Sequence, residues 1–108
     1  MRNLPWLLLV IAGILEVVWA LSLKSTRGFT RPGPSVLTLA AMGVSFYLLS
    51  LALRSLPAGT GYAVWVGIGA AGTAIIGMAF LGEPRTLARV VSIALILAGV
   101  IGLRLTER

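Results

Sequence analysis

The stretch LLLVIAGILEVVWALSL, Leu7 to Leu23, is apolar nearly throughout and uncharged except at Glu16. A run of about 20 apolar residues is what a helix needs to cross the hydrocarbon core of a bilayer. An acidic side chain near the centre of such a helix costs about 3 kcal/mol or more. The stretch therefore decides two things together. It sets the solvent of this chain as lipid, and it marks one carboxylate whose cost must be offset by something it binds.

The rest of the chain agrees on the solvent. Its 108 residues are 58% hydrophobic and 11% charged, with a mean hydropathy of +1.02. Soluble domains carry about 25% charged residues, and so small a core cannot hide this much apolar surface. Cysteine and histidine are both absent, which excludes a disulfide framework, thiol chemistry and the commonest metal ligand and proton shuttle. No metal, cofactor or enzyme activity is expected. The net charge of +6 comes from basic residues placed singly at the ends of apolar runs. Those are positions of interfacial anchors, so no nucleic-acid partner is expected.

Apolar runs at approximately 4–23, 35–53, 56–82 and 87–103 predict four transmembrane helices in one domain covering 1–108. The connections KSTRGFTRPGP, RSLPAG and GEPRT are short and rich in helix breakers. A cleaved leader is disfavoured because three further spans follow and the first holds its own charge. With four spans, Arg2, Arg54, Arg104 and Arg108 share one side, and Lys24, Arg27, Arg31, Arg85 and Arg89 the other. Orientation follows the imbalance of basic residues between the two sides. Here the two sides are nearly equal, which predicts insertion in both orientations and an antiparallel dimer as its use.

The polar residues inside the spans form the candidate site. Ala12, Gly13, Glu16, Trp19, Ala20 and Leu23 share a helical face, with small residues leaving room around the carboxylate. Trp19, one turn along, can offer an indole N–H to an anion or its ring face to a cation. No basic residue lies within the spans to pair with Glu16 as a structural partner, and an unpaired intramembrane acid marks a functional site. In the third span, GTGYAVWVGIGAAG places Tyr62 and Trp65 on one face with Gly69 a turn beyond. Tyr62 fits an interfacial anchor and a binding-site wall equally well, whereas Trp65 lies too deep for an anchor. GIGAAG at 67–72 matches a dinucleotide-binding pattern but follows no strand, so it carries no such meaning. Its glycines serve close helix approach. In the second span Ser45 lies on a face with Thr38, Ala41, Leu49 and Ala52, where back-bonding to its own helix and a site role are both open. The fourth span has Ala94, Ala98, Gly99 and Gly102 for tight helix packing, and no chemistry.

GILEVVWALSLKST, GFTRPGPS, SLPAGTGYAVWVGIGAAGTA and LILAGVIGLRL together resemble the small multidrug resistance family, and within it the guanidinium-exporter subtype. The resemblance covers nearly the whole chain. It implies an all-α membrane protein of four transmembrane helices per subunit, working as an antiparallel dual-topology homodimer in the cell (inner) membrane. It implies a proton-coupled antiporter. The family's central glutamate falls on Glu16, the subtype's adjacent tryptophan on Trp19, the serine supporting the glutamate on Ser45, the third-helix aromatics on Tyr62 and Trp65, and the small bordering residue on Gly13. The fourth helix is expected to form much of the dimer contact. Gly61 and Val66 stand where the subtype usually has alanine and threonine, a departure that bears on selectivity.

The expected cycle is an exchange: protons and a guanidinium-type cation compete for the same pair of Glu16 carboxylates, and two inverted subunits alternate access. Ser45 and the Trp19 indole are expected to hold the carboxylates in orientation. Export of bulkier hydrophobic quaternary ammonium cations is a second reading. A non-transporting membrane protein that stabilises a larger complex is a third.

Overall fold

Four apolar segments broken by glycine- and proline-rich links become four helices. A computed structural model of the chain describes residues 3–106 and places α1 at Leu4–Ser25, α2 at Pro32–Ala52, α3 at Ala58–Phe80 and α4 at Leu87–Thr106. All four are long and apolar enough to cross a membrane. Arg2 and Arg108, counted above for topology, lie outside the described residues.

Local chemistry explains where the helices start and stop. α2 begins at Pro32, ahead of the uncharged run at Ser35, because a proline at the first helical position loses no hydrogen bond and is already set to the helical φ. Before it, Arg27, Gly28 and Phe29 all adopt left-handed backbone, with φ of 49°, 73° and 65°. Thr26 holds this tight reversal. Its hydroxyl donates to the Leu23 carbonyl at 2.7 Å and accepts from the Phe29 amide at 3.2 Å, and its carbonyl accepts from the amides of Thr30 and Arg31. α3 stops at Phe80, where Arg85 folds back and donates from Nε to the Met78 carbonyl at 2.7 Å. That bond satisfies one of the carbonyls a helix end leaves free. Lys24, Arg89 and Arg104 sit in the terminal turns of their helices, so each charge reaches the interface and none lies mid-span.

The helices assemble around α1. It packs against α2 and α3, while α4 packs against α3. In lipid the apolar side chains gain little by leaving their solvent, so close packing and interhelical hydrogen bonds carry the association. Glycines set the spacing. A methyl added at Gly13 would collide with Ile68, and one at Gly72 with Val17. The register of these contacts advances in the same direction on both helices, so α1 and α3 run parallel. The inner layer is formed by Leu9, Ala12, Leu49, Ala52, Leu56, Val64 and Trp65. Thr38, Ala41, Ser45, Leu49 and Ala52 make the buried face of α2, as their spacing predicts.

α4 is different. Ile93 is its single buried residue among those described, and Leu87, Leu95 and Leu105 are all more than two-thirds exposed. Gly99 and Gly102 have open space where a side chain would go. The tight packing read from its small residues is not made within one subunit. At its C-terminal end Arg104 lies over the Trp6 ring, 5.0 Å from the centroid, and donates to the Asn3 amide oxygen at 3.1 Å. This joins the beginning of α1 to the end of α4 on one side.

Candidate functional site

Glu16 lies midway along α1 and is half-buried. Its carboxyl group fits against α3 where Gly69 has no side chain, and a methyl there would overlap it. Oε1 is shielded and has no hydrogen-bond partner among the described residues. A shielded, unpartnered polar atom is rare in folded proteins because it forfeits solvation without replacement. Trp19, one turn further, is in the same condition at its indole nitrogen.

Ser45 does something the sequence left open. Its hydroxyl donates across to the Ala12 carbonyl of α1 at 2.7 Å and accepts from the Trp65 indole of α3 at 3.0 Å. One serine thus ties three helices together one turn below the carboxylate. Within one subunit neither Ser45 nor the Trp19 indole hydrogen-bonds to Glu16. The Ser45 proton is committed to a backbone carbonyl, and the Trp19 indole has no partner among the described residues. A serine inside an apolar helix usually bonds back to its own backbone. Here Ala12 is small enough to let α2 approach and offer its carbonyl instead.

The aromatic residues form a connected wall. Trp19 meets Phe46 edge-on at 6.2 Å between centroids, Phe46 meets Trp65 edge-on at 5.5 Å, and Tyr62 lies 5.7 Å from Trp65. Such separations are favourable for aromatic pairs. The structure therefore brings Trp19, Trp65 and Tyr62 into one array, with Trp65 buried and Tyr62 more than half exposed. Phe46, which links the two tryptophans, escaped the sequence reading because a phenylalanine in an apolar span looks lipid-facing. Its position directly after Ser45 was the available signal. Gly13 stands apart from this wall, and its bare face accommodates Ile68.

The other ionised groups of the described chain are elsewhere. Glu83 and Arg89 form an ion pair where α3 passes to α4, with the Glu83 carboxylate resting over Gly77.

Four membrane-length helices, one interior carboxylate with no partner among the described residues and an array of aromatic rings define a small polytopic membrane protein. The sequence pattern described as Small Multidrug Resistance protein matches residues 4–96, and the chain belongs to that transporter family. A guanidinium exporter of Yersinia pseudotuberculosis serotype I (strain IP32953) is 60% identical over 104 residues, covering 96% of this chain and 100% of the relative. Guanidinium exporters of Citrobacter freundii and of Salmonella typhimurium strain LT2 are 58% and 54% identical over 103 residues, covering 95% of this chain and 98% of each relative.

Proposed function

We propose that this protein exports guanidinium from the cell across its inner membrane in exchange for protons. The observation that carries the reading is the Glu16 carboxyl, shielded in the membrane beside Trp19 with no cation in the described chain to neutralise it. Its charge must be met from outside the chain. A proton meets it by bonding to one oxygen. A guanidinium ion meets it by presenting two parallel N–H groups to a carboxylate while its flat faces lie against indole rings. One carboxylate cannot hold a proton and the cation in full at once, so binding either releases the other. Inward flow of protons then drives the cation out. The full-length likeness to guanidinium exporters supports this choice of cation.

The working unit in this reading is an antiparallel homodimer whose two Glu16 carboxyls face a shared midplane site. Support comes from α4. Its exposed leucines and the open faces of Gly99 and Gly102 leave a small-residue surface unpartnered in one subunit, as a helix–helix contact between copies would use. The near-equal basic residues on the two sides permit both orientations. Two inverted copies convert one fold into inward- and outward-open forms by exchanging conformations. Within the site, Trp19, Tyr62 and Trp65 supply the walls. Ser45 holds Trp65 against α1, and Gly13 lets α1 and α3 approach closely beside the site.

Purified protein in liposomes tests the function. A pH gradient, acidic outside, should drive labelled guanidinium out of loaded vesicles, and tetrapropylammonium should not be moved comparably. Preferential movement of tetrapropylammonium would point to a site for quaternary ammonium cations. No movement of either cation would remove the transport reading.

A further inference from the structure

Several hydroxyl groups of the helices donate to a backbone carbonyl. Ser22, Ser35 and Ser92 donate to the carbonyl four residues back, and Ser45 donates to α1. Two shielded hydroxyls do not. Thr38 Oγ1 and Thr73 Oγ1 have no hydrogen-bond partner among the described residues, although Thr38 is 0% exposed. Each has a carbonyl one turn back that other hydroxyls in this chain use. Their lack of partner is therefore a matter of where the side chains point.

The register places both at one level. Ser45 meets Ala12 across the antiparallel α1–α2 pair, so Thr38, seven residues back along α2, falls opposite Trp19. Gly69 meets Glu16 across the parallel α1–α3 pair, so Thr73, four residues on, lies one turn beyond the carboxyl, again at Trp19. Of the five shielded orphans among the described residues, Arg89 Nε lies apart at the start of α4, and the other four, Glu16 Oε1, Trp19 Nε1, Thr38 Oγ1 and Thr73 Oγ1, come from three helices and lie within about one turn of the same level.

Resting on the guanidinium reading above, we propose that Thr38 and Thr73 are specificity-determining residues of the cation site. Guanidinium is surrounded by N–H donors and has no acceptor, so a pair of carboxylates engages only part of its rim. The two hydroxyl oxygens accept N–H bonds from the edge that points away from Glu16. A quaternary ammonium ion has no N–H and gains nothing from them. The threonines therefore favour N–H cations over alkylated ones of the same charge, since a buried polar group left unmatched penalises the wrong ligand.

The test uses full-length protein in liposomes, with guanidinium as the probe and Thr38→Val, Thr73→Val and the matching Thr→Ser variants. Valine keeps the shape and removes the hydroxyl, and serine restores it. Each valine is expected to raise KM for guanidinium about tenfold with maximal rate little changed, and each serine to return KM to near wild type. Tryptophan fluorescence on titrating guanidinium gives the same comparison without transport. If wild type transports guanidinium and both valine variants keep its KM, the inference is overturned while the function stands. If serine is as damaging as valine, the role is packing and the inference is also overturned. If wild type moves no guanidinium, the functional reading fails and takes this one with it.

Discussion

Two glutamates of this chain each rest against a glycine of α3 and differ in what neutralises them. Glu83 sits between α3 and α4, partly open to water, and Arg89 neutralises it through a direct ion pair. Glu16 sits within α1, fitted against Gly69, with one oxygen shielded and unpartnered. The chain has nine basic residues; those described lie at helix ends and connections, where Arg89 meets Glu83 and none of them reaches Glu16. An acid whose counter-charge is built in is part of the architecture. In the function proposed above, an acid whose counter-charge must arrive from outside is a binding site, and the cost of keeping it in the membrane is recovered when the ligand binds.

The sharpest way to break this contrast is to neutralise each acid in turn. Glu16→Gln removes the charge that meets the cation and should lower proton-driven guanidinium transport at least about 100-fold, with the protein still folded by size-exclusion chromatography. Transport at the wild-type rate would place the site elsewhere. Next in size is Gly69→Ala. The added methyl occupies the position of the Glu16 carboxyl, so the carboxyl or α3 must move. A rise of about tenfold in KM is expected, because a small displacement of a binding group is costly. Gly99→Ala, which meets open space within one subunit, serves as its counterpart and reports on contact between copies.

Ser45→Ala tests the three-helix tie. It leaves the buried Trp65 indole without its acceptor and should cost about 1–3 kcal/mol of stability, read as loss of helicity at lower denaturant concentration. Glu83→Gln should have the smallest effect. Its pair is more than a third exposed on the glutamate side, and such pairs contribute no more than about 1 kcal/mol, with high salt reducing the difference further. Guanidinium KM should be unchanged in that variant.

The sequence told most about what depends on one helix at a time. Apolar runs and breakers located α1 to α4 within a few residues, and the spacing of Thr38, Ala41, Ser45, Leu49 and Ala52 identified the buried face of α2. Glu16 was visible because a charge inside an apolar run has few innocent explanations. What escaped depends on how helices are rotated against each other. Whether Ser45 reaches Glu16 or Ala12 is set by the approach of α2 to α1. Phe46 joins the aromatic wall only because α2 brings it between Trp19 and Trp65. Thr38 and Thr73 are ordinary span residues until their shielded oxygens are seen to lack partners.

The central claim is that a proton and guanidinium compete for Glu16. Adding guanidinium to weakly buffered, purified protein in detergent and recording the pH tests it without gradients or vesicles. Wild type should release protons in proportion to the cation bound, and Glu16→Gln should release none. Saturable binding to wild type with no proton release, or equal release from both proteins, would contradict the account.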